Sequence, residues 1–201
     1  VDTGFFDPAS TEAHPALRYE TPQLVFTGQM DYPPNIAAVE RFAERILPRI
    51  RESVAADFHI VGRAPTADVS KLGRLDGVTV WGEVPDVRPF LRGATAVVAP
   101  LMLARGVQNK VLEAMAMARP VLVSEEAATG IDASDGENWY ICRDDEAFAK
   151  RVLELADQPD RAEGMGRAAR SFVIKEMSWA AVEAGLARLV GRSDVSCHHA
   201  A

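Results

Sequence analysis

The chain has 201 residues, 48% apolar and 25% charged, with 22 Lys+Arg against 29 Asp+Glu and a formal net charge of −7. This is the composition of a globular domain with a sizeable core, and it excludes collagen-like, low-complexity and extensively disordered character. The acidic balance argues against a nucleic-acid binder, which carries a basic face.

Residues 1–22 contain Gly4, Pro8, Pro15 and Pro22 without periodicity and read as a linker or loose arm, residues 1–21, entering a domain over residues 22–190. Leu24 to Thr27 form an apolar run ending in Gly28. Pro34 then opens a helical stretch with Ile36, Val39, Phe42, Ala43, Ile46 and Ile50 on one stripe. Runs at 58–61 and 78–81 end in Gly62 and Gly82, and a short helix is expected over 86–92. Strands at 95–99 and 120–124 enclose a helical segment, Val107 to Ala118. Trp139 to Cys142 reads as a sixth strand, followed by helices near 145–157 and 160–175. A last helix starts after Ser178, with Trp179, Val182, Leu186 and Leu189 on its apolar stripe. Burial of Trp179 in this domain is the commoner outcome for such a residue; exposure would mark a surface for a partner. The tail 191–201 reads as unstructured.

Strand runs that are apolar throughout and alternate with helices predict a doubly wound, mostly parallel, Rossmann-like α/β sheet covered on both faces. Such sheets bind ligands at the carboxyl ends of their strands. The two cysteines, Cys142 and Cys197, supply neither a disulfide framework nor zinc spacing, and they point to a reducing, cytoplasmic home. No apolar run approaches the roughly 18 residues that span a bilayer. The chain begins at Val1 without Met and is expected to be a piece of a longer protein.

The most informative segment runs from Arg105 to Pro120. At helical spacing Val111, Met115 and Ala118 share one face, and Asn109, Lys110 and Glu113 the other. Gly106 precedes the first turn, where free N–H groups and the positive dipole end suit a phosphate. Lys110 is a cation where the dipole disfavours one, a local conflict typical of functional sites. By spacing alone, Lys110 and Glu113 read first as an ion pair on a solvated helix face. The chain lacks the G-x-G-x-x-G of a dinucleotide oxidoreductase and the Gly-Lys-Ser/Thr of a P-loop enzyme. It also lacks the acidic cluster of a phosphotransfer receiver.

Glu113-Ala-Met-Ala and Pro120-Val-Leu resemble the donor-binding, C-terminal domain of the retaining group 1 glycosyltransferases, one half of a GT-B fold. Phe26 to Asn35 resembles the phosphate loop of a subgroup found in exopolysaccharide gene clusters. Ile60-Val-Gly62, Gly82-Glu-Val-Pro-Asp86, Ser178-Trp179 and the stretch Val1 to Pro8 agree with it in the same order. The resemblance implies transfer of a hexose or related sugar from a nucleoside diphosphate donor to an acceptor hydroxyl, with retention. It implies no metal or other cofactor, only the nucleotide sugar as substrate. It further implies a missing N-terminal acceptor domain of the same polypeptide, so that the isolated domain is inactive. The full-length enzyme is expected in the cytoplasm or peripherally at the inner face of the membrane.

Residue by residue, Glu113 is implied to hold the ribose, and Gly106, Val107, Gln108 and Asn109 to meet the diphosphate through their backbone. Gly28, Gln29 and Asn35 line the phosphate side; Gly62, Arg63, Gly82 and Val84 flank the nucleobase. There are two departures. The family's first Glu, a catalytic position that contacts the donor sugar, is Arg105. Its loop Arg and Lys are replaced by Gln29 and by Pro33-Pro34-Asn35. Lys110 and Arg105 are expected to supply the missing charge, and Arg105 would also suit the carboxylate of a uronic acid donor. A GT-B nucleotide-sugar epimerase fragment and a catalytically silent nucleotide-sugar-binding module remain open at this point.

Overall fold

The computed structural model describes residues 1–17 and 20–189. The apolar runs form β1 (Gln23–Thr27), β2 (Asp57–Val61), β3 (Val78–Gly82), β4 (Ala96–Ala99), β5 (Val121–Val123) and β6 (Tyr140–Ile141). They pair in parallel throughout, in the order β3-β2-β1-β4-β5-β6. Every residue of β1, β4 and β5 is buried, so both faces of the sheet are covered, as unbroken apolar runs require. This is the doubly wound α/β fold expected from the sequence. The chain winds outward from β1 to β3 and returns beside β1 at β4. The loops after β1 and β4 therefore part at the carboxyl edge and open a crevice, where ligands bind in such sheets.

The first helical stretch is α1 (Pro33–Arg41), a π-helical turn (Phe42–Ile46) and α2 (Leu47–Arg51). Pro48 has no N–H to give to a carbonyl one turn back, and the helix widens before it so that Leu47 N–H donates to Phe42 O. Val39, Phe42, Ala43, Ile46 and Ile50 of the expected stripe are all buried. Then come α3 (Ala67–Leu72), α4 (Arg88–Gly93), α5 (Asn109–Ala116), α6 (Glu125–Ala128), α7 (Asp145–Asp157), α8 (Pro159–Phe172), a second π-helical turn (Val173–Met177) and α9 (Trp179–Leu189). The sequence reading missed α3 and α6, which are too short to show a period. Their signals are the caps: Thr66 Oγ1 accepts from Val69 N–H and Ser124 Oγ from Ala127 N–H.

Two anchors fix the base of the loop after β4. Buried Asp145 bridges Arg41 at 2.7 Å and Arg45 at 2.6 Å, and Arg41 also donates to Pro100 O at 3.2 Å. Ser124 Oγ donates to Leu101 O at 2.6 Å. Under β1 and β2 a polar chain is fully joined: Trp81 Nε1–H donates to His59 Nδ1 at 3.0 Å, and His59 Nε2 lies 2.8 Å from Gln23 Oε1. Gln23 Nε2 in turn donates to Asp57 Oδ2 at 3.1 Å.

The first residues are packed, where the sequence suggested a loose arm. Leu17 is buried against Gly93, where a Cβ would sit 2.9 Å from Leu17 Cδ2. Arg170 of α8 gathers the carbonyls of Phe6 and Ala116 and the carboxylate of Asp7. The expectation for the tail 191–201 lies outside the described residues. Trp179 is 63% exposed, with Val182 and Leu186 beside it on α9, which overturns the expectation that it packs into this domain. Among the described residues no helix is long and apolar enough to cross a membrane.

Candidate functional site

Three glycines bring the ends of β1, β2 and β3 side by side. Gly28 N–H donates to Val61 O at 3.1 Å and Gly62 N–H to Gly82 O at 2.8 Å. A Cβ on Gly62 would lie 1.6 Å from Gly28 O, so this crossing admits no side chain. Gly82 has φ +70° and open space around it, a turn conformation that glycine adopts freely. Val84, just beyond, is half-buried against the core.

Gly28 is the floor of a polar cluster. Asn35, buried in the first turn of α1, donates from Nδ2 to Gln29 O at 2.8 Å and accepts at Oδ1 from Lys110 Nζ at 2.5 Å. A Cβ on Gly28 would sit 2.8 Å from Asn35 Nδ2 and 2.9 Å from Lys110 Nζ. The Lys110 ammonium also lies 4.2 Å from the centre of the Phe26 ring, which attracts it through the ring quadrupole. Burial pushes its pKa down to about 8, with nearby Glu113 pulling the other way. Across the cluster, Arg63 Nη2 donates to Gln29 Oε1 at 2.8 Å.

The loop after β4 turns through Gly106, at φ +65°, into α5. No atom lies within 4 Å of where a Gly106 Cβ would be, so the backbone there is open to a ligand. Gln108, the residue before α5, spends its amide on Gly106 O at 3.1 Å and leaves the helix uncapped. Among the described residues no protein acceptor meets the backbone N–H of Asn109 or Lys110. Val107 leans on Gly130, whose Cβ position is 3.1 Å from Val107 Cγ2.

Glu113 lies one turn deeper, half-buried, with no hydrogen bond to its carboxylate among the described residues. Burial raises its pKa, and nearby Lys110 pulls the other way. Lys110 and Glu113 form no ion pair, because Lys110 turns to Asn35. That removes the reading of a solvated i,i+3 pair.

The structure thus joins Gly28, Gln29, Asn35, Gly62, Arg63 and Lys110 in one cluster. Gly106 to Asn109 lead into it, with Glu113 below and Gly82 and Val84 along the sheet edge. Arg105 stands apart, exposed and without a hydrogen bond or ion pair among the described residues. Phe26 and Thr27 belong to the stretch that resembles the phosphate loop, but neither was given a role in the site. Thr27 Oγ1, at the end of β1, is buried without a hydrogen-bond partner among the described residues. A cavity of about 660 Å³ lies elsewhere, at the amino ends of β1 and β4 around Pro22, Arg92 and Thr95.

Comparison with known proteins sets this site in a family. The sequence model described as glycosyl transferases group 1 matches residues 21–158. EpsD of Bacillus subtilis (strain 168), which bears the name of a glycosyltransferase, is 27% identical over 107 residues, 52% of this chain and 28% of EpsD. The crystal structure of Anabaena Alr3699/HepE in complex with UDP-glucose superposes with a TM-score of 0.72 at 11% identity, covering 96% of this chain and 56% of HepE. The crystal structure of the C-terminal domain of LpcC, a group 1 family glycosyl transferase from Francisella tularensis, gives 0.70 at 18% identity, covering 89% of this chain and 99% of that domain. The chain therefore spans 28% of EpsD and about half of HepE. With residues 21–158 matched, it belongs to the group 1 glycosyltransferase family.

Proposed function

We propose that this chain is the nucleotide-sugar donor-binding domain of a glycosyltransferase. The enzyme moves a hexose or related sugar from a nucleoside diphosphate to an acceptor hydroxyl, with retention, in the synthesis of an exopolysaccharide or another glycan. The observation that carries the reading is the placement of Lys110: its ammonium sits over Gly28, held by Asn35, beside the unmet N–H groups of α5. A diphosphate laid there meets fixed donors, a positive helix end and one full charge. As the sugar–phosphate bond breaks, negative charge builds on the leaving diphosphate, and these preorganised groups stabilise it. Glu113, with no hydrogen bond to its carboxylate among the described residues, accepts from the ribose hydroxyls.

The acceptor and any base come from a preceding domain of the same polypeptide. The exposed stripe of Trp179, Val182 and Leu186 on α9 supports a partner surface on this domain. The 201 residues alone bind the nucleotide weakly at best and do not transfer efficiently. UDP, bound as UDP-glucose in HepE, is the first probe. Calorimetric titration of UDP into the wild type and Lys110→Glu tests the site. Charge reversal should weaken binding at least ten-fold, the worth of a charge-assisted hydrogen bond of about 1.5–3 kcal/mol. Unchanged affinity defeats the reading.

A further inference from the structure

We propose that Arg63, held by Gln29, is the second cation of this site and contacts the diphosphate from the side opposite Lys110. The inference rests on the donor-site reading and moves Arg63 from the nucleobase flank to the diphosphate. Three hydrogen bonds linked through Gln29 and Asn35 carry it. Arg63 Nη2 donates to Gln29 Oε1 at 2.8 Å, Asn35 Nδ2 donates to Gln29 O at 2.8 Å, and Lys110 Nζ donates to Asn35 Oδ1 at 2.5 Å. The two cations thus stand at the two ends of one relay that passes Gly28.

The backbone fixes the Arg63 end as well. Met30 N–H donates to Arg63 O at 2.9 Å, so the loops after β1 and β2 are tied together at this residue. Ala64, directly after it, has φ +55°, an uncommon conformation for a residue with a side chain, and it turns the chain there. Arg63 is exposed, and its only side-chain bond among the described residues is to a neutral amide oxygen. No carboxylate pairs with it among the described residues, so its charge and most of its fork of donors are available.

A nucleoside diphosphate brings at least two negative charges, and Lys110 supplies one positive charge. A planar guanidinium gives a bidentate contact that an ammonium cannot. Arg105 is the rival for this role, but nothing orients it, whereas Gln29 draws Arg63 towards the β1 loop.

The test is calorimetric titration of the 201-residue chain with UDP and, separately, with uridine. The variants are Arg63→Ala, Arg63→Lys and, for comparison, Arg105→Ala, Lys110→Met and Glu113→Gln. Arg63→Ala should lose UDP affinity about ten-fold and leave uridine binding unchanged, with Arg63→Lys recovering part of the loss and the salt dependence of UDP binding becoming shallower. Full UDP affinity in Arg63→Ala, or equal loss for UDP and uridine, overturns the inference; equal loss would place Arg63 at the nucleobase. If only Lys110→Met and Glu113→Gln weaken UDP, the donor site stands and this inference alone falls. If the wild type binds none of UDP, GDP, ADP and CDP, the donor-site reading fails and takes Arg63 with it.

Discussion

Lys110 donates to Asn35 across 2.5 Å, and this bond ties the first turn of α5 to the first turn of α1, the two helices that flank the crevice between β1 and β4. The lysine donates its hydrogen bond to a neutral amide, and nearby Glu113 acts on it only through space, without an ion pair. An anion entering the crevice meets that charge in place.

Binding should therefore take up a proton. In the empty site burial holds the Lys110 pKa at about 8, below the ordinary lysine value. A bound diphosphate favours the charged form and raises it. UDP affinity should fall as pH rises through 8, and binding near pH 8 should absorb a fraction of a proton, read from titrations in buffers of different ionisation heat. Lys110→Met should flatten the profile; a flat wild-type profile contradicts the assignment. The same shift makes this group's contribution to fold stability rise with pH between about 8 and 10.4, where the unfolded chain holds the proton that the folded chain has lost.

Gly62 and Gly106 should respond differently to alanine. At Gly62 the new methyl would meet Gly28 O at 1.6 Å, and the crossing of β1 and β2 would have to open. A loss of about 3 kcal/mol or more in denaturant unfolding is expected. At Gly106 nothing lies within 4 Å, so the cost is only the left-handed backbone, roughly 1–2 kcal/mol. Gly106→Ala should fold and still bind UDP more weakly, because its methyl intrudes where the ligand approaches.

Glu113 should read the sugar of the nucleoside. The wild type should prefer UDP over 2′-deoxy-UDP, and Glu113→Gln should lose most of that preference, worth about 1.5–3 kcal/mol for a charge-assisted hydrogen bond. Removal of an unpaired, half-buried carboxylate should not lower the melting temperature. A preference that survives in Glu113→Gln assigns the ribose to another residue.

His59 should make the fold acid-sensitive. Trp81 N–H already points at Nδ1, so a second ring proton has no place, and burial lowers the pKa. The unfolded chain binds that proton near pH 6.5, so this group's contribution is full above that value and is lost as pH falls below it. Unfolding midpoints should drop between pH 6.5 and 5, and less so in His59→Gln.

The sheet was legible because β1, β2, β4 and β5 are short, mainly apolar runs, each closed by Gly, Pro or Ser. Short α3 and α6 were not, since six and four residues show no period and only Thr66 and Ser124 betray them. The burial of Val111 and Met115 on one face of α5 followed from spacing. That Lys110 would cross to Asn35 did not, because a contact 75 residues apart in sequence leaves no local pattern. The Arg63–Gln29 bond was hidden for the same reason. The placement of Phe6 and Asp7 draws on Arg170, distant in sequence.

The most direct test is a crystal structure of the chain with UDP. The account predicts diphosphate oxygens within hydrogen-bond distance of the Asn109 and Lys110 backbone N–H groups and of Lys110 Nζ, with both ribose hydroxyls on Glu113. A nucleotide bound elsewhere, or one in the crevice with Glu113 turned from the ribose, would contradict it.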